Sequence, residues 1–111
     1  MSLDRVGDVH RALGEWQAAR ERFDESLRVS ERLVQLTGES PEALRDWLVS
    51  LGNVGDVHRA LGELQAARER YQESLRVSER LVKLTGESPE ALRDWSVSLH
   101  KVGDVHRALV E

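Results

Sequence analysis

The chain contains no cysteine. A disulfide framework and a thiolate site for redox or metal chemistry are therefore excluded, and the expected compartment is the cytoplasm. Long hydrophobic runs are missing too, since none approaches the roughly 20 apolar residues that span a bilayer. The N-terminal residues also lack the apolar core of a signal sequence. We expect a soluble chain with no membrane partner.

An excess of basic charge is also missing. Sixteen Lys and Arg residues stand against 20 Asp and Glu residues, which gives a formal net charge of −4 at pH 7. The two signs are interspersed along the sequence, whereas a phosphate-binding face requires a basic stripe. Nucleic acid is therefore not expected as a partner.

The sequence does contain a near-verbatim internal repeat with a period of 48 residues. Residues 3–50 return as residues 51–98, with only seven of the 48 paired positions different, and residues 99–111 begin a third copy. A fixed period of this size is typical of stacked-repeat architectures. The 111 residues are therefore expected to form a single repeat domain.

Each copy carries the signals of two helices, here named A and B. Ser40 and Ser88 are suited to cap a helix, and each is followed by a proline and a glutamate that favour the first turn. Apolar residues then recur at steps of three and four, and Gly62 is suited to a tight turn between A and B. The order is a half-length A helix followed by B, A, B and A, and the predicted helices are Ser2–Leu13, Glu15–Leu36, Pro41–Leu61, Glu63–Leu84 and Pro89–Val110.

One ordered set of residues within each copy resembles the tetratricopeptide repeat, a helical hairpin with characteristic glycine, alanine and aromatic positions. In the second copy the set is Val54, Gly55, His58, Gly62, Ala67, Tyr71 and Ser74. The chain departs from the family in having histidine where tyrosine is usual and a period of 48 instead of 34. About seven extra residues in each helix account for the difference. The resemblance implies an all-α, right-handed solenoid of antiparallel hairpins, with five helices.

Three glycines, Gly7, Gly55 and Gly103, lie inside predicted helices at the same register. Glycine there costs about 1 kcal/mol relative to alanine, so a packing reason is expected. The family pattern implies a close approach of helix A to the Ala67 position of helix B.

No arrangement of residues points to catalysis, a cofactor or a metal. Asp56 and His58 are two residues apart and so lie on roughly opposite sides of a helix. His100 and Asp104 share a face, but two ligands do not complete a zinc site. No serine has a histidine and carboxylate in a recognisable order. The chain is not expected to be an enzyme.

Candidate binding positions come from a comparison of the copies. The three versions of the second half of helix A differ only at residues 4–5, 52–53 and 100–101. In the resemblance these positions map onto the concave face of the A helices. The candidate groove residues are Asp4, Arg5, Asp8, Arg11, Asn53, Asp56, Arg59, His100, Lys101, Asp104 and Arg107. The alternative interpretation is that exposed positions have drifted without a function.

The function that the resemblance implies is protein–protein interaction, with a peptide or partner domain held in this groove. A structural or self-associating scaffold without a dedicated ligand is the alternative, and a regulatory repeat attached to a catalytic domain outside this chain is a third. Self-association is expected because the ends of the array are uneven. At one end, the far half of the first B helix is expected to be uncovered around Val29, Leu33 and Leu36. At the other end, the last A helix contacts the preceding B helix but has no B helix after it, and its residues concerned are Leu92, Trp95, Leu99 and Val102.

Overall fold

The chain folds into consecutive α-helices. The computed structural model describes residues 15–111, with helices α1 (Trp16–Thr37), α2 (Pro41–Ala60), α3 (Leu64–Thr85) and α4 (Pro89–Val110). These bounds agree within one residue with four of the predicted helices, and no strand occurs in residues 15–111. The all-α prediction is confirmed for this part of the chain. The fifth predicted helix, Ser2–Leu13, lies outside the described residues.

The two A helices begin at the predicted caps. Ser40 Oγ accepts a hydrogen bond from the Ala43 amide at 3.1 Å, and Ser88 Oγ accepts one from the Ala91 amide at 3.2 Å. These serines satisfy amides that have no partner within the first helical turn. Equivalent serines in two copies therefore fix where α2 and α4 start.

Short turns make successive helices antiparallel neighbours. Gly62 closes the turn between α2 and α3 with φ +79°, and Gly86 does the same after α3 with φ +66°. Side chains other than glycine rarely adopt this left-handed conformation. As a result α1 packs on α2, α2 on α3, and α3 on α4.

The core runs along the facing stripes of these helices. Phe23 and Tyr71 are buried, as expected for the aromatic position of each B helix, and the three tryptophans pack partly buried against or beside the core. Buried serines form hydrogen bonds within the core, which the sequence patterns did not predict. Ser50 Oγ lies 2.8 Å from Ser30 Oγ and 3.4 Å from Ser26 Oγ, so α1 and α2 share hydrogen bonds within the core.

Gly55 is a packing glycine, and its nearest neighbour is the ring of Tyr71 on α3. A Cβ at this position would lie 2.5 Å from Tyr71 Cε1 and 2.7 Å from Tyr71 Cδ1. The Tyr71 ring therefore leaves no room for a side chain at this position. Gly103 has no atom within 4 Å of its Cβ position in the described structure, so the packing explanation does not extend to it there. Gly7 lies outside the described residues.

Candidate functional site

A groove runs between the two full-length A helices, α2 and α4, and is here named the α2–α4 groove. It has a volume of 210 Å³. Nine of its lining residues come from α2 and α4, and α3 contributes one serine. The lining residues are Leu48, Val49, Gly52, Asn53, Asp56, Ser74, Asp94, Val97, Ser98 and Lys101.

Asp56 is the charged centre of this groove. Its Oδ1 accepts a hydrogen bond from Lys101 Nζ at 2.7 Å and another from the Tyr71 hydroxyl at 2.5 Å. Lys101 Nζ also lies 5.6 Å from the centroid of the Tyr71 ring, within the range of a cation–π interaction. One carboxylate therefore joins α2, α3 and α4.

The environment of Tyr71 favours its neutral form. Burial and, next, the hydrogen bond to Asp56 raise the pKa of the Tyr71 phenol well above its ordinary value. A phenolate there would lose its solvation and would meet a carboxylate at hydrogen-bond distance. The hydroxyl therefore remains a donor to Asp56 at neutral pH.

A second set of charges bridges α2 and α4 nearer their N-termini. Arg45 Nε lies 3.4 Å from Asp94 Oδ2, and Arg45 Nη1 lies 3.7 Å from Glu90 Oε2. Between these charged bridges, Val49 and Val97 remain exposed on the two sides of the groove. The groove thus offers an aliphatic strip bordered by paired charges.

Asn53 differs from its charged neighbours. Its side chain is half-buried, lines the groove and makes no hydrogen bond to any residue from 15 to 111. An amide both donates and accepts hydrogen bonds. Asn53 is therefore able to pair with the N–H and C=O groups of an extended backbone.

The structure brings together only some of the sequence-predicted site residues. Asn53, Asp56 and Lys101 line the α2–α4 groove. Four others are on the same two helices but not among the lining residues, and they are Arg59, His100, Asp104 and Arg107. The remaining four lie outside the described residues, and they are Asp4, Arg5, Asp8 and Arg11.

The comparison of copies missed part of the groove. Val49 and Val97 are equivalent residues in successive copies, and Asp94 is identical to its counterpart Asp46. Because these positions do not vary, the comparison of copies did not mark them as candidate binding positions. Their regular place in the first half of helix A could have identified them as neighbours of Asn53 and Lys101.

A separate polar cluster lies at the turn between α2 and α3. His58 Nδ1 lies 2.7 Å from Glu63 Oε1, and Arg20 Nη1 on α1 lies 3.1 Å from Glu63 Oε2. The hydrogen bond from His58, with the nearby charge of Arg20, lowers the pKa of Glu63. His58 is therefore engaged in a hydrogen bond within the protein. Within residues 15–111, no three His, Asp or Glu side chains are grouped as metal ligands.

The described helices thus form successive antiparallel neighbours that carry the glycine, alanine and aromatic positions of the repeat. A family model described as tetratricopeptide repeat matches residues 1–80. The chain belongs to the tetratricopeptide repeat family. Tetratricopeptide repeats generally mediate protein–protein interaction and are typically not enzymes. A search of curated proteins found no match to this sequence.

The helices of this tetratricopeptide repeat protein differ from membrane-spanning segments. Among residues 15–111, no helix is both long and apolar enough to cross a membrane.

Proposed function

We propose that residues 1–111 act as one repeat domain that binds a peptide or a segment of a partner protein in the α2–α4 groove. The hairpins form a right-handed superhelix in this proposal, and α2 and α4 line its concave side. The observation that carries the proposal is the pairing of an exposed aliphatic strip, Val49 and Val97, with the unpaired amide of Asn53.

These groups suit the two needs of peptide recognition. Burial of an aliphatic side chain against valine supplies free energy in proportion to the apolar area removed from water. Hydrogen bonds from Asn53 to the peptide backbone fix the direction of the bound chain. The groove follows two helices and its valines, Val49 and Val97, are exposed, which fits an extended segment better than an enclosed small molecule.

Paired charges set the specificity in this proposal. Asp56 with Lys101, and Asp94 with Arg45, are already satisfied within the protein. A bound ligand has to leave both ion pairs intact or replace any partner that it displaces, because an unpaired charge at a water-excluded contact is costly. On the same two helices, further polar side chains extend the contact to polar residues of the ligand, and they are Arg59, His100, Asp104 and Arg107.

The test begins with a peptide-display selection against the 111-residue chain. The selected peptide is then titrated by calorimetry against Val97→Glu and Asn53→Ala. Each substitution is expected to weaken binding about tenfold or more, since a carboxylate would stand on the aliphatic strip and an amide pair would be lost.

Matched controls use the outer face of α3, where Gln72 and Lys83 are exposed. Gln72→Ala and Lys83→Ala are expected to keep the full affinity. The double substitution Arg59→Glu and Arg107→Glu tests the extended contact and is expected to abolish binding of acidic peptides. A selected peptide whose affinity survives both Val97→Glu and Asn53→Ala would place the site elsewhere, and a selection without any ligand would refute the proposal.

A further inference from the structure

Two apolar faces of the described structure have no neighbour. On α1, Val29, Leu33 and Leu36 are 57%, 38% and 67% exposed, and they line an open apolar depression. On α4, Leu92 and Leu99 are 38% and 50% exposed. Contiguous exposed apolar surface of this kind commonly marks an interaction site.

The chain contains a template for how these faces fit together. Val77 and Leu81 on α3 are the counterparts of Val29 and Leu33, yet they are only 2% and 0% exposed. They belong to the same buried cluster as Leu44 and Leu51 on α2, whose counterparts on α4 are the exposed Leu92 and Leu99. The α2–α3 contact therefore buries the same residue types that stand exposed on α1 and α4.

Only part of each helix is needed for this pairing. Leu92 and Leu99 lie in the first half of α4, and Val29 and Leu33 lie in the second half of α1. The first half of α4 then lies beside Val29 and Leu33.

We propose that the first half of α4 of one protomer docks on the second half of α1 of a second protomer, with Leu92 and Leu99 against Val29 and Leu33. The two surfaces are different, so the contact is heterologous and joins protomers head to tail. It uses the outer face of α4 and leaves the α2–α4 groove free. It therefore stands independently of the proposed peptide binding.

Sedimentation equilibrium of the 111-residue chain tests this contact. The average mass is expected to rise above 12.6 kDa as the concentration approaches hundreds of micromolar, and to continue beyond that of a dimer. Leu33→Glu and Leu99→Glu, each introduced alone, are expected to give monomers. Both positions are partly exposed, so a carboxylate is tolerated in the separate chain but not in the contact.

Mixing the two variants distinguishes this contact from symmetric ones. The Leu33→Glu chain keeps an intact α4 face and the Leu99→Glu chain keeps an intact α1 face. A head-to-tail contact therefore predicts a 1:1 complex of about 25 kDa, twice the 12.6 kDa of one chain. Symmetric pairing of either face predicts that one variant self-associates alone and that the mixture gives no such complex.

A matched control comes from α3. Leu84 is the counterpart of Leu36 and is 55% exposed, but it lies outside both faces, so Leu84→Glu is expected to associate like the unaltered chain. Val29→Glu repeats the test if Leu33→Glu loses its helical circular dichroism. A strict monomer at hundreds of micromolar, or association that survives both Leu33→Glu and Leu99→Glu, would overturn the proposal.

Discussion

Among single residues, Asp56 has the most consequences for the rest of the molecule. Its carboxylate is bound to Tyr71 on α3 and to Lys101 on α4, and it also lines the groove. Removing it would leave two donors without their acceptor and would loosen the spacing of three helices. A binding defect in an Asp56 variant would therefore mix loss of contact with loss of geometry, which is why Asn53 and Val97 are the better tests of binding.

The glycine positions provide a paired prediction of stability. Gly55→Ala places a methyl group against the Tyr71 ring and is expected to lower the free energy of unfolding by about 1–3 kcal/mol. Gly103→Ala meets open space within the described structure and is expected to raise it by about 1 kcal/mol, because alanine is the better helix former.

Urea unfolding of both variants, at concentrations where the chain is monomeric, measures the two effects. The opposite signs are the essential result. Equal stabilisation by both alanines would show that the Tyr71 ring moves aside at no cost.

Tyr71 gives the chain a predicted sensitivity to alkali. The pKa of this phenol is raised in the folded chain by burial and by Asp56, so its contribution to stability is complete below the ordinary tyrosine pKa of about 10 and is lost as the pH rises above that value. We expect the free energy of unfolding to fall above about pH 10.

The measurement is unusually clean because Tyr71 is the only tyrosine in the sequence. Phenolate absorbance therefore reports this residue alone, and it is expected to appear together with loss of helical circular dichroism. Tyr71→Phe, which reproduces the natural Phe23 of the first copy, should flatten the pH dependence. Phenolate formation near pH 10 in a fully helical chain would contradict the assigned environment.

Among the helices, the caps and apolar stripes were enough to predict every described boundary within one residue. The contacts between α2 and α4 were not predictable in the same way. Lys101 reaches Asp56 across 45 residues of sequence, and its counterpart Asn53 cannot form this ion pair. Copy-to-copy variation pointed to Asn53 and Lys101, but not to Val49 and Val97, because residues shared by all copies carry no such contrast. Asp56 is also shared by all copies, and only the family resemblance placed it among the candidate groove residues.

The helix starts lead to a further prediction. Ser88→Ala removes the oxygen that accepts the Ala91 amide at the first turn of α4, and it is expected to cost about 1 kcal/mol. Thermal unfolding monitored by circular dichroism measures the loss. Ser96→Ala, at an exposed position in the same helix, is the control and should have little effect. An equal loss in both variants would mean that the cap is not the source of the stability.

At the scale of the whole molecule, stability depends on a sequence of neighbour contacts. In the described structure α2 and α3 each pack against two helices, whereas α4 packs mainly against α3. Repeat arrays of this kind are held together by nearest-neighbour interfaces instead of one central core. Several apolar side chains of α4, among them Leu92 and Leu99, are exposed and contribute little to holding it in place.

This linear arrangement has a consequence for the timing of local opening. Detaching α4 breaks one principal interface, while detaching α3 breaks two, so the amide hydrogens of α4 should exchange with solvent through a partial opening and those of α3 only through global unfolding. Native-state hydrogen exchange followed by mass spectrometry should show this order, and uniform protection of α3 and α4 would contradict it. A chain with α4 released would retain the α2–α3 hairpin. The free energy of that partial opening therefore sets the fraction of molecules in which α4 is detached from α3.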